Sequence, residues 1–249
     1  MKLRISLTLS LSLFLVTLLP AQGERYTDWT LEDVVEQIEE SNGGEKALDE
    51  IKTVRIKGSV VSPDTSYDFV MLKKRPNKLR IQLMYKGASA ETGYNGEYAW
   101  RRERKGNQSR MKRLTEDEFQ EARLDVDFDG PLIGPPQGGM ELELIGTERI
   151  DRVLYFVIES SYPNRSVRHY VDARTFREAW SVSEVISSDG SKEEHISIYE
   201  DYKRHGPIWM AERIIRKLPD GREEEIKVVD VDVNTGILDR AFEMPRSSD

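Results

Sequence analysis

The 249-residue chain has no cysteine and only three histidines, His169, His195 and His205. Without thiols there is no disulfide framework, no thiolate metal site and no cysteine nucleophile. The histidines form no H-E-x-x-H or facial-triad spacing, so they read as surface or strand-edge residues. A basic surplus is lacking too. Against 45 Asp+Glu stand 37 Lys+Arg, a net charge of −8, whereas neutralising nucleic-acid phosphates requires an excess of Lys and Arg. The composition is 38% hydrophobic and 8% aromatic, enough for a core, while 33% charged residues imply a well-solvated surface.

The N-terminus reads as a secretory leader. Lys2 and Arg4 precede an apolar stretch from Ile5 to Leu19, and Pro20-Ala21-Gln22-Gly23 supplies small residues at a cleavage site after Gly23. As a helix the stretch would span about 23 Å, short of the ~30 Å hydrocarbon core of a bilayer, with a retained membrane anchor as the alternative reading. With no cysteine near the cleavage point, N-terminal lipidation is excluded. Residues 24–249 are then expected to form one exported domain.

That domain opens with an amphipathic helix. Thr30 is placed to cap it with Asp33 three residues on, Leu31, Val34, Val35 and Ile38 recur at helical spacing, and Asn42-Gly43-Gly44 ends it. After a short turn at 45–50 the period changes to two. Val54, Ile56, Gly58 and Val60 alternate, followed by Tyr67, Phe69 and Met71, then Leu79, Ile81, Leu83 and Tyr85. Tyr94-Asn95-Gly96-Glu97 predicts a type I′ hairpin turn leading to Tyr98 and Trp100. From Thr115 to Phe128 the strand rhythm breaks. Thr115 and Glu118 form a capping pair, Phe119, Ala122 and Val126 share a helix face, and the glycine- and proline-rich loop 129–139 follows.

Turn signals at Asp151-Arg152, Pro163-Asn164, Asp189-Gly190 and Pro219-Asp220-Gly221 divide the rest into seven strand candidates, near 141–147, 153–160, 166–172, 177–187, 193–202, 208–218 and 223–233. About eleven strands joined by hairpin-length turns predict a mainly β fold, an incomplete antiparallel barrel with an N-terminal helix and a mid-sheet lid of helix and loop.

Catalytic apparatus does not assemble. Ser109-Arg110-Met111-Lys112 matches S-x-x-K without companion motifs, no G-x-S-x-G elbow occurs, and Gly134–Gly139 lacks the Lys-Ser/Thr ending of a phosphate loop. Asp125, Asp127 and Asp129 alternate but lack the remainder of a calcium loop. The densest charge feature is basic: Arg101, Arg102, Arg104, Lys105, Arg110, Lys112 and Arg113 against Glu103. It reads as a solvated hairpin turning at Gly106-Asn107, or as a docking patch for anionic head groups or an acidic partner. What remains is apolar surface. A curved sheet directs alternate side chains into its concavity, which makes Ile56, Phe69, Met71, Leu83, Tyr85, Trp100, Phe156 and Trp180 candidate lipid-facing residues, with Phe119 on the lid. Ordinary core is the competing reading for the large aromatics.

Several stretches resemble the outer-membrane lipoprotein-sorting family, the LolA/LolB-like carriers. They are Gly43-Gly44-Glu45-Lys46-Ala47-Leu48 leading to Ile51–Gly58, Arg75-Pro76-Asn77-Lys78-Leu79-Arg80, Tyr94–Trp100, Tyr170-Val171-Asp172-Ala173, Tyr199–Lys203, and Asn234-Thr235-Gly236 through Phe242–Pro245. Each motif is weak alone; their shared order carries the likeness. Gly206-Pro207-Ile208-Trp209 departs from it, with its proline early. The resemblance implies an open barrel closed by helices that shields lipoprotein acyl chains or another lipid across the periplasm. It further implies an inner-membrane donor, an outer-membrane acceptor, a monomer, no enzymatic activity and no cofactor. An envelope protein-binding sensor on the same fold is the alternative.

Overall fold

Period-two alternation becomes thirteen strands: β1 (Thr53–Val61), β2 (Ser66–Lys74), β3 (Lys78–Tyr85), β4 (Ala88–Tyr94), β5 (Ala99–Lys105), β6 (Gln108–Arg113), β7 (Glu141–Ile150), β8 (Val153–Tyr162), β9 (Arg165–Asp172), β10 (Glu178–Ile186), β11 (Lys192–His205), β12 (Ile208–Lys217) and β13 (Glu223–Val233). This computed structural model describes residues 26, 28–116, 118–119, 126–133, 140–162, 165–186 and 191–246. The expected leader, Ala122 and Asp125, the loop 134–139 and the turns at Pro163-Asn164 and Asp189-Gly190 lie outside the described residues.

The strands form one antiparallel sheet, ordered β6-β5-β4-β3-β2-β1-β13-β12-β11-β10-β9-β8-β7. Two meanders therefore meet where β1 pairs with β13, with Val54 opposite Val233 and Ile56 opposite Val231. The free edges, β6 and β7, are consecutive in sequence. The described parts of the segment between them rest on other strands: Phe119 on Tyr94 of β4, and Asp127 and Asp129 on Lys73 of β2 and on Arg75.

All seven strands expected after the lid are present. Before it there are six, where the alternation marked about four. The additional strands are the ones with weak apolar alternation: β4 carries Ala88, Ala90 and Gly93, and β6 is a polar edge strand, Gln108-Ser109-Arg110-Met111-Lys112-Arg113. The turn at Asn95-Gly96 also differs from type I′. Only Gly96 has a positive φ, 105°, and the Asn95 side chain closes the turn by accepting from Glu97 N and Tyr98 N at 3.0 Å each.

Helix α1 (Leu31–Ser41) has the expected capping box, with Thr30 and Asp33 satisfying each other's backbone N–H groups. Its apolar stripe, Val34 and Ile38, packs on Leu154, Phe156, Ile158 and Val171 of β8 and β9, with Leu132 completing the core. Fully burying side chains of this size stabilises by roughly 1.5–3 kcal/mol each. A second core forms where α2 (Glu45–Asp49) brings Leu48 and Ile51 against Val54, flanked by Phe128, Ile133, Val231 and Val233. Asn42 fixes the end of α1 to β12, its Nδ2 donating to Ile38 O and its Oδ1 accepting from Trp209 N. The face carrying both helices is the inner face. On the outer face the C-terminal segment lies over β3–β5, where Trp100 Nε1 donates to Phe242 O at 2.8 Å and Arg80 to Ala241 O at 3.1 Å.

Candidate functional site

Cross-strand register decides which side chains share the inner face. Ile56 stands opposite Met71 and Met71 opposite Ile81, while Phe69 stands opposite Leu83 and Leu83 opposite Ala90. The next row brings Tyr67 opposite Val60, Val60 opposite Ile226 and Ile226 opposite Ile214. The phenyl ring of Phe69 lies over Gly58, where a Cβ would overlap both that ring and Lys227 O, so only glycine allows this approach. Helix α1 covers β8 and β9, and α2 with residues 126–133 covers one end of β1 and β13. Tyr67, Met71, Ile81, Leu83, Ile214 and Ile226 remain half-exposed, and Tyr85, ring to ring with Tyr67 at 4.9 Å, is 37% exposed.

Seven of the nine lipid-facing candidates thus share the inner face: Ile56, Phe69, Met71, Leu83, Tyr85, Phe119 and Phe156. They do not share one environment. Phe156 is fully buried under α1 among Tyr26, Trp29 and Phe176. Phe119, in the lid, is 4% exposed and stacks on Tyr94 at 5.0 Å. Trp100 and Trp180 belong to the outer face. Trp100 is buried beneath the C-terminal segment, over Gly93. Trp180 stacks on Tyr170 at 4.4 Å and meets Tyr155 edge-on at 4.6 Å.

The basic hairpin is likewise divided by strand alternation. Arg101 stands opposite Lys112 and Glu103 opposite Arg110 on the inner face, which Lys105 shares by alternation, while Arg102, Arg104 and Arg113 are on the outer face. Several have partners already. Arg102 and Arg80 both pair with Glu91, 1% exposed, at 2.8 Å. Arg101 pairs with Glu103 at 3.0 Å, Lys112 pairs with Glu118, and Arg113 lies over the Tyr98 ring at 4.0 Å.

The lid is capped as its sequence predicts, Thr115 N donating to Glu118 Oε2 and Glu118 N to Thr115 Oγ1. Its far end is bolted to β2 and the turn after it. Arg75 forms two 2.6 Å bonds with the Asp129 carboxylate and lies over the Phe128 ring at 4.4 Å. Lys73 donates to Asp127 O at 2.5 Å. Burial pushes the Asp127 carboxyl above its ordinary value, outweighing the Lys73 ammonium. Asp129 is committed to Arg75 and anchors this segment, and no metal-ligand cluster occurs among the described residues.

Sequence spacing gave no sign of a polar network on the inner face of β8–β11. Ser160, fully buried, contacts His169 Nε2 at 2.9 Å, and His169 Nδ1 contacts Glu178 Oε1 at 2.6 Å. Beside them Ser181 Oγ and Tyr199 OH are 3.0 Å apart, and Arg165 donates to Ser183 Oγ at 2.8 Å. The first three residues have the order of a serine–histidine–acid relay. Ser160, however, has no exposed surface and sits mid-strand, paired with Leu142 on one side and Val167 on the other. An acyl carbonyl has no approach to it and no spare backbone donors beside it, so the cluster is a closed hydrogen-bond network. Desolvation, with the Glu178 charge adding to it, raises the Tyr199 phenol far above its usual range, so its hydroxyl stays protonated.

An open antiparallel sheet with helices on its inner face is the architecture of LolA-like open barrels. Solved structures bear this out. A LolA superfamily protein from Nitrosomonas europaea superposes with a TM-score of 0.59 at 19% identity, covering 86% of this chain and 98% of that one. A putative outer membrane lipoprotein-sorting protein domain from Vibrio parahaemolyticus gives 0.59 at 11% identity over 86% and 95% of the two chains. A DUF1329 family protein from Desulfovibrio piger gives 0.58 at 11% identity, over the same shares. No family model matches the chain, and no curated protein matches its sequence. The fold is therefore LolA-like.

Proposed function

We propose that the protein is a periplasmic carrier that shields lipoprotein acyl chains, or another lipid, against the inner face of its open barrel for transfer toward the outer membrane. The observation that carries this reading is the row of half-exposed apolar side chains, Tyr67, Met71, Ile81, Leu83 and Tyr85, left uncovered on the helix-bearing face. An uncovered apolar surface of this kind marks a binding face. Each acyl methylene buried there contributes ~0.8 kcal/mol, so a full chain binds strongly, and a hinged lid provides a route for release. The leader expected at residues 1–23 fits export, the lid carries Phe119, and the basic residues of the β5–β6 hairpin would dock the carrier on anionic head groups of a membrane surface. The reading requires no catalytic group and no cofactor.

The test is native mass spectrometry with lipid extraction on residues 24–249, purified from the periplasm without detergent. Co-purifying acyl lipid that a fluorescent fatty acid displaces is the expected result. A lipid-free protein that excludes the probe would replace the carrier by a protein-binding sensor.

A further inference from the structure

The inner face changes character along the sheet, and that change specifies the ligand more closely. From β3 through β2, β1 and β13 to β12 it carries an apolar row ending in Val60, Ile226 and Ile214, which stand in register, with the Arg216–Glu224 ion pair beyond them. Four strand spacings cover about 19 Å. One acyl layer of a bilayer, half of its ~30 Å hydrocarbon core, is about 15 Å. The next residue in the row, opposite Ile214, is Tyr199 on β11. From there hydroxyls replace methyls: Ser197 stands opposite Ser181, and Ser181 opposite His169.

We propose that the bound lipid lies across the strands, with its acyl chain on β3–β12 and an uncharged, hydroxyl- or ester-bearing head group, glycerol-like in chemistry, on the hydroxyl wall of β9–β11. This rests on the carrier reading and narrows its substrate class. On the wall itself Glu178 Oε1 lies 2.6 Å from His169 Nδ1, and the Arg165 guanidinium is directed to Ser183 Oγ at 2.8 Å. Such a surface offers the hydroxyls of Ser197 and Tyr199, with groups of both charges beside them. Ser197 and Tyr199 are partly buried, and Ser181 Oγ, 3.0 Å from Tyr199 OH, orients that hydroxyl. A purely apolar ligand would strip water from these hydroxyls without replacing their hydrogen bonds, an unfavourable exchange.

The test compares monoolein with oleate as competitors of a fluorescent fatty-acid probe on residues 24–249. Monoolein is expected to displace the probe about tenfold more effectively, the size of effect that one or two hydrogen bonds produce. The double variant Ser181→Ala/Tyr199→Phe removes both partners of the Ser181–Tyr199 hydrogen bond, and Ser197, which is not buried, can turn to water. It is expected to bring the two competitors to within about twofold while oleate binding is retained. Equal competition in the unaltered protein, or a preference that survives the double variant, would overturn the proposal and leave the carrier reading intact. The unaltered-protein comparison stands even where the variant fails to fold. A protein that binds neither lipid nor probe would overturn both.

Discussion

Glu91 shows how much one position can hold. Its carboxylate, 1% exposed, accepts from Arg80 and Arg102 at 2.8 Å each, and Arg80 reaches on to Ala241 O. The carboxylate thus links β3, β4, β5 and the C-terminal segment on the outer face. Removing one member of a buried ion pair leaves the others charged and desolvated, at a cost of about 3–5 kcal/mol. Glu91→Ala is expected to lower the urea midpoint accordingly and to expose the C-terminal segment to limited proteolysis. A midpoint shift below about 1 kcal/mol would mean that water solvates the two guanidiniums. The sequence hid this role, because Arg102 reads as one more charge in a basic run. Only its register with Glu91 commits it to a buried ion pair on the outer face.

At the scale of elements, the lid root combines a bidentate ion pair with an isolated burden. Arg75 and Asp129 hold residues 127–129, while burial raises the Asp127 carboxyl pKa. A carboxyl raised in the folded state disfavours folding when ionised. That penalty is full above the folded pKa and disappears as pH falls below the ordinary aspartate value of about 3.9. Asp127→Asn, which keeps an acceptor for Asp129 N, is therefore expected to melt higher than the parent at pH 7 and to match it below pH 3.5. An unchanged difference across that range would point to a cause other than ionisation. The elements themselves were legible where chemistry was local: the Thr30–Asp33 cap, the Thr115–Glu118 cap and the strongly alternating strands all stand where the sequence puts them. The small residues of β4 and the polar edge β6 were not, because their pairing is imposed by β3 and β5. Ser160, His169 and Glu178 are nine residues apart in succession and converge only through two antiparallel hairpins, so no motif spacing announces them.

At the scale of the molecule, the open sheet gives one chain two faces of opposite use, and alternation alone assigned residues to strands without saying which face was inner. That is why Trp100 and Trp180 stood among the lipid-facing candidates although both are on the outer face, one under the C-terminal segment and one stacked on Tyr170. A carrier that binds on its inner face makes a sharp distinction here. Leu83→Asp, half-exposed in the apolar row, places a carboxylate where acyl methylenes would rest. It is expected to weaken fatty-acid binding at least tenfold at pH 7 with little change in melting temperature, since no core packing is lost. Phe119→Asp, in the lid, is expected to weaken binding as well, at some cost in stability because that ring is buried. Trp180→Ala removes a larger apolar surface from the outer face and is expected to leave affinity within twofold. Fluorescence titration of the three variants checks the set. If Trp180→Ala abolishes binding and Leu83→Asp does not, the lipid is held on the outer aromatic cluster, and the helices on the other face serve only to complete the core.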